Sequence, residues 1–179
     1  MADANGVNFD QFALWYSQAG TPVLDVSGSL QSESSLHTET VLTVNQAEQT
    51  YVLQLARPVQ SITPSLLRGF SAPVHLHFDY TDAQLAHLLA HDDDPFARWE
   101  AGQTLYRLAI AANEAALENG ADLPEHAALA QALRRILNDQ HIDPAFKALL
   151  LQVPAESELW DGRTRIDPVR TAAAREALH

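Results

Sequence analysis

The chain has 179 residues, 46% hydrophobic and 19% charged, which is enough for one globular domain or two small ones. Its 11 Lys and Arg against 23 Asp and Glu give a formal net charge of -12, a surface that repels nucleic-acid phosphates and anionic lipid. Without cysteine there are no disulfides, thiolate metal ligands or cysteine nucleophiles, and no apolar run approaches the roughly 18 residues of a membrane span.

The first segment, MADANGVNFDQF, lacks the basic region and apolar run of a targeting signal, so a cytoplasmic location is expected. Phe9, Phe12, Leu14, Trp15 and Tyr16 form the aromatic face of a helix within residues 1–20 that must pack against something else. From Pro22 to Tyr80 short β-rich runs follow: TPVLDV, TETVLTV, TYVLQLA, SLLRGF and PVHLHFDY, separated by Ser, Asn, Pro and Gly. HTETVLTV and HLHFDY alternate apolar and polar residues, as antiparallel strands with one solvated face do.

After Tyr80 the pattern is helical, and the helix starts are explicit. Asp94-Pro95, Asp143-Pro144 and Asp167-Pro168 each put an aspartate at the N-cap and a proline at the first helical position, while Thr81 with Gln84 offers a capping box. Helices are predicted at 82–91, 95–118, 124–138, 144–151, 155–160 and 168–178, with Gly120 and Gly162 as stops. Trp99, Leu105, Leu108 and Ile110 are the predicted core of this half.

HLLAH at 87–91 puts His87 and His91 one turn apart, the spacing of the H-E-x-x-H metal helix. Leu88 occupies the general-base position, and two histidines are too few for zinc, so a packing or surface role is expected. His75 and His77 share one face of a strand, a geometry that could chelate, but nothing downstream supplies a carboxylate at a usable spacing, so a plain solvated face is expected. Asp92, Asp93 and Asp94 do not match a calcium loop, and Asp94 serves better as a helix cap. Arg68 and Gly69 suggest a turn or bulge rather than a phosphate loop, and no nucleophile elbow, P-loop or dinucleotide fingerprint is present. No residue is therefore assigned a catalytic, cofactor-binding or metal-ligating role.

The stretches FDQFALWYSQAGTPVLDV, LTVNQAEQTYVL, PSLLRGFSAPVHL, LLAHDDDPFARWEAGQTLYRLA and FKALLLQVPAESELWDGRTRIDP resemble, in order, bacterial aminopeptidase N, the zinc-dependent alanyl aminopeptidase family. The resemblance implies that residues 1–20 correspond to the end of a catalytic domain, 21–80 to a shortened β-sandwich domain and 81–179 to the start of a C-terminal helical superhelix. The family's G-A-M-E-N motif, zinc helix and transition-state tyrosine lie upstream and have no counterpart in this chain. Between Val26 and His37 the family carries several dozen more residues, where this sequence has only SGSLQSESSL. A piece of a longer enzyme, natural or engineered, is the expectation.

The expected fold is α+β: a leading helix, a small antiparallel β-sandwich-like unit, then an all-α array. The expected function is that of the non-catalytic middle of a zinc aminopeptidase. Such an enzyme removes N-terminal residues from peptides, and this part would help enclose the peptide chamber and be inactive alone. Zinc and peptide substrates would belong to the full-length enzyme only, with no nucleic-acid or membrane partner, and a homodimer could join across the β region. The alternative is a free-standing helical interaction module, against which the lack of a visible 30–45-residue repeat counts. A metal-binding regulator using His75, His77, His87 and His91 is a third reading.

Overall fold

A computed structural model describes residues 21–28, 40–44, 46–52 and 61–178. Among them are two short strands, β1 (Val23–Asp25) and β2 (His75–His77), and a 3₁₀ turn (Arg68–Phe70). Six helices follow: α1 (Asp82–His91), α2 (Pro95–Asn119), α3 (Ala127–Asn138), α4 (Pro144–Leu150), α5 (Glu156–Leu159) and α6 (Pro168–Glu176).

The helix starts obey their caps. The Thr81 side chain accepts from Gln84 N at 3.2 Å while Gln84 Oε1 accepts from Thr81 N at 3.0 Å, closing the capping box of α1. Asp94, Asp143 and Asp167 accept from the first-turn amides of α2, α4 and α6, each with proline just inside the helix. Gly120 ends α2 at φ 61°, where a side chain would be strained. Gly162 also has a positive φ, 70°, but lies in the turn beyond α5, whose C-cap is Trp160. The helix expected from 124 begins at Ala127, and its N-cap, His126, makes no side-chain cap bond.

α1 inserts Leu85, Leu88 and Leu89 against α2, which contributes Leu105, Tyr106 and Ile110; Leu129, Ala132 and Ile136 of α3 complete the packing. The buried residues of α3 recur at helical spacing, one stripe facing the core. Each fully buried Leu or Ile contributes on the order of 1.5–3 kcal/mol. Leu108 is not part of this core: it is 45% exposed, because the buried stripe of α2 runs through Leu105, Ala109 and Ile110 and turns position 108 outward. Trp99 packs against the core partly buried.

The β unit departs from the expectation. β1 and β2 pair in parallel, with Val23, Leu24 and Asp25 opposite His75, Leu76 and His77, so the described residues form a two-stranded parallel sheet and not an antiparallel sandwich. Parallel neighbours require a crossover, supplied here by the long connection between them, whereas alternation along one strand carries no information about the direction of its partner. The described parts of TETVLTV and TYVLQLA, 40–44 and 50–52, carry no strand, and the rest of both runs falls outside the described residues, as do residues 1–20. SLLRGF is a turn: Leu67, Gly69 and Phe70 all have positive φ (51°, 61° and 54°), which no strand accommodates.

Candidate functional site

Two motifs that look unrelated in sequence meet in space. The Arg68 guanidinium donates to Asp92 Oδ1 at 2.8 Å and to Asp93 Oδ1 at 2.6 Å, and Gly69 N donates to Asp94 Oδ2 at 3.0 Å. All three aspartates of the turn between α1 and α2 thus hold the 67–70 turn. The Asp92 side chain is only 2% exposed, so this ion pair is shielded on one side and strengthened by the low local dielectric. Asp94 does two tasks at once, since its other oxygen caps α2 through Ala97 N at 2.7 Å.

The segment leading into the turn is tied to the same helices. Tyr80 donates its hydroxyl to Pro64 O at 2.7 Å, and Gln84 Nε2 donates to Ile62 O at 3.0 Å. Burial, with the Asp92 charge behind it, pushes the Tyr80 phenol up to about 12, so it stays a donor. Phe70 packs on Phe96 with ring centroids 5.2 Å apart. This constellation binds and orients backbone; it presents no nucleophile with an adjacent base.

His87 and His91 lie on the exposed side of α1 with ring centroids 4.9 Å apart. His91 is held below the ordinary histidine value, first by desolvation and then by its coulombic interactions with Arg135, His87 and Arg98. His75 and His77 share the exposed face of β2, as alternation predicts. His77 Nδ1 lies 3.0 Å from Asp25 Oδ1, a carboxylate brought in from upstream by the parallel pairing, beside an open depression of about 250 Å³ that Ser27 and Asp79 also line. The two histidine pairs are not brought together into one cluster, and among the described residues no group of three or more His, Asp or Glu could hold a metal ion.

A second polar network fixes the last helix. Arg163 donates to both carboxylate oxygens of Glu114, at 3.1 and 2.8 Å, and the Thr171 hydroxyl donates to the same carboxylate. Asn113 donates to Ala174 O at 3.0 Å and meets His126 Nε2 at 2.9 Å. These groups lock α6 and the start of α3 to α2, a stabilising use of buried polarity in which every named group has a partner.

Comparison with known proteins agrees with a helical array. A family model described as "Domain of unknown function (DUF3458_C) ARM repeats" matches residues 82–179. The chain belongs to this family. It is also similar over almost its whole length to bacterial aminopeptidase N: 33% identical to that of Escherichia coli over 99% of the chain and 30% identical to that of Haemophilus influenzae over 98%. It spans about a quarter of the length of each. The Escherichia coli alignment runs over 224 residues where this chain has 179, so at least 45 aligned positions face a gap here, as a shortened relative requires. A solved structure of Legionella pneumophila aminopeptidase A shares the fold, with TM-score 0.79 at 21% identity over 99% of this chain and 24% of that one. The family description names ARM repeats, where the sequence alone shows no visible 30–45-residue period.

Proposed function

We propose that this chain is a non-catalytic part of a cytoplasmic zinc aminopeptidase, in which the β unit acts as a spacer and the helical array as a wall of the peptide chamber. The observation that carries this reading is the near-complete alignment of the chain with about a quarter of aminopeptidase N. Zinc and the peptide-cleaving groups then belong to the remainder of such an enzyme. No helix among the described residues is long and apolar enough to cross a membrane. In this reading residues 1–20, 21–80 and 81–179 are the successive units, and self-association runs through the β region.

Three measurements test it. The purified chain should not turn over alanyl or other aminoacyl reporters with or without zinc, and elemental analysis of untagged protein should find no stoichiometric metal. Zinc-dependent turnover that persists through exhaustive purification would overturn the reading. Grafting residues 82–178 into aminopeptidase N in place of its matching helices should leave a folded enzyme active on peptides; a folded chimera that has lost peptide cleavage counts against the chamber wall. The ARM-repeat match favours a second reading, a free-standing module that binds a peptide or protein along its helices. Retention of a defined peptide by the isolated chain, with the graft inactive, would support it.

A further inference from the structure

We infer that residues 61–70 form a strap, closed by Arg68, that fixes the β unit on the first two helices of the array. The strap is anchored twice. Its upstream end is held through neutral groups, Ile62 O by Gln84 and Pro64 O by Tyr80. Its downstream end is held by charge, through Arg68 on Asp92 and Asp93, and by Gly69 N on Asp94.

The downstream end is strained. Leu67 and Phe70, neither of them glycine, sit beside Gly69 in the left-handed region, and Phe70 N closes the turn on Leu67 O at 3.0 Å. A short turn with two such residues relaxes unless surrounding contacts hold it, and Arg68 lies inside it. Its guanidinium also reaches Ser65 Oγ at 3.2 Å, so one planar group bridges the strap and two of the three aspartates of the α1–α2 turn, Asp92 and Asp93. A lysine presents a point charge and cannot span this fork. Arg68 is thus a positioning residue: it chooses between a strap pinned at both ends and one tethered only at Ile62 and Pro64. The strap is held by these contacts, together with Phe70 on Phe96, whatever the whole molecule catalyses.

Amide exchange in the full chain followed by NMR reads this directly, because Gly69 N and Phe70 N are themselves bonded in the closed strap. In Arg68→Gln, exchange at Gly69 and Phe70 should accelerate by about tenfold or more, the scale of a lost charged hydrogen bond, while the amides of α1 and α2 keep their protection. Arg68→Lys should fall between wild type and Arg68→Gln. Unchanged exchange at Gly69 and Phe70 in Arg68→Gln overturns the strap. So does an equal rise across α1, α2 and the turn, which would mean that Arg68 serves only overall stability. Arg68→Lys behaving as wild type overturns the role of the fork.

Discussion

Gly102 of α2 faces Leu89 of α1 so closely that a Cβ at position 102 would stand 3.1 Å from Leu89 Cδ1. Leu89 is completely buried in the middle of the core, where close packing resists its withdrawal. Replacing a helix-interior glycine with alanine ordinarily gains about 0.5–1 kcal/mol, whereas overpacking a core costs about 1–3 kcal/mol. Packing wins here, so Gly102→Ala should destabilise by about 1 kcal/mol and Gly102→Val by considerably more. Chemical denaturation of the two variants checks this, and an alanine variant more stable than wild type would show that Leu89 can yield.

The helical half was legible because its signals are local. An aspartate followed by proline fixes a helix start within four residues, and Asp94, Asp143 and Asp167 all cap as expected. What the sequence could not display was pairing between distant segments. Arg68 and Asp92 are separated by 24 positions, and each motif taken alone suggested only a turn or a cap. Asp25 and His77 are 52 positions apart and meet because β1 and β2 run parallel, a direction that the alternation in HLHFDY leaves open. Leu108 was misassigned for a simpler reason: it is apolar, yet the phase of α2 is set by the small and large residues opposite α1, and Leu108 lies off that stripe.

The double task of Asp94 separates it from the other caps. Asp143→Ala removes a cap bonded to Ala145 N and Phe146 N, an exposed site whose loss should cost about 1 kcal/mol. Asp94→Ala loses the cap on Ala97 N and also the acceptor for Gly69 N, and should cost about 2 kcal/mol. Urea midpoints at unchanged m-value compare the two. Equal costs would mean that the Gly69 contact contributes nothing.

Acid acts on the strap through Asp93. The hydrogen bond and charge of Arg68 hold the Asp93 carboxyl below its ordinary value of 3.8. A depressed folded value means that the contribution of Asp93 is fully present above the ordinary value and is lost as pH falls through the depressed one. The groups facing this site are Arg68, Asp92 and Asp94, with Tyr80 and Arg98 coupled to Asp92. The Arg68–Asp93 contact should therefore be insensitive to pH between about 5 and 8 and weaken only below about 4. Carboxyl chemical shifts of Asp93 followed against pH should give a midpoint below 3.8 in wild type and a higher one in Arg68→Gln. A wild-type midpoint at or above the ordinary value contradicts the pairing in solution.

The β unit leaves more apolar surface in water than its two short strands can cover. Val41 is 91% exposed and Val52 86%, with Val23, Val44 and Phe70 each more than half exposed. Two three-residue strands form a sheet that is marginal without further support, and each valine transferred out of water contributes about 1.5 kcal/mol or more. The helical array has closed its own core, although Leu137 (54% exposed) and Val169 (81%) also face water there, so the larger demand for a partner is expected in the β region. A stable dimer needs about 1,200–2,000 Å² of buried surface, more than a handful of valines supplies, so the expected association is weak and concentration-dependent. If Phe9, Phe12 and Trp15, which lie outside the described residues, supply that cover as the sequence reading expects, deleting residues 1–20 should strengthen self-association or lower solubility. Light scattering from about 1 to 100 µM, a range bracketing weak association, should show the mean mass rising with concentration. Val41→Glu with Val52→Glu should return it to that of one chain while the helical circular dichroism stays unchanged. A mass equal to one chain at every concentration, in wild type and in the 1–20 deletion alike, would show that the exposed valines need no partner.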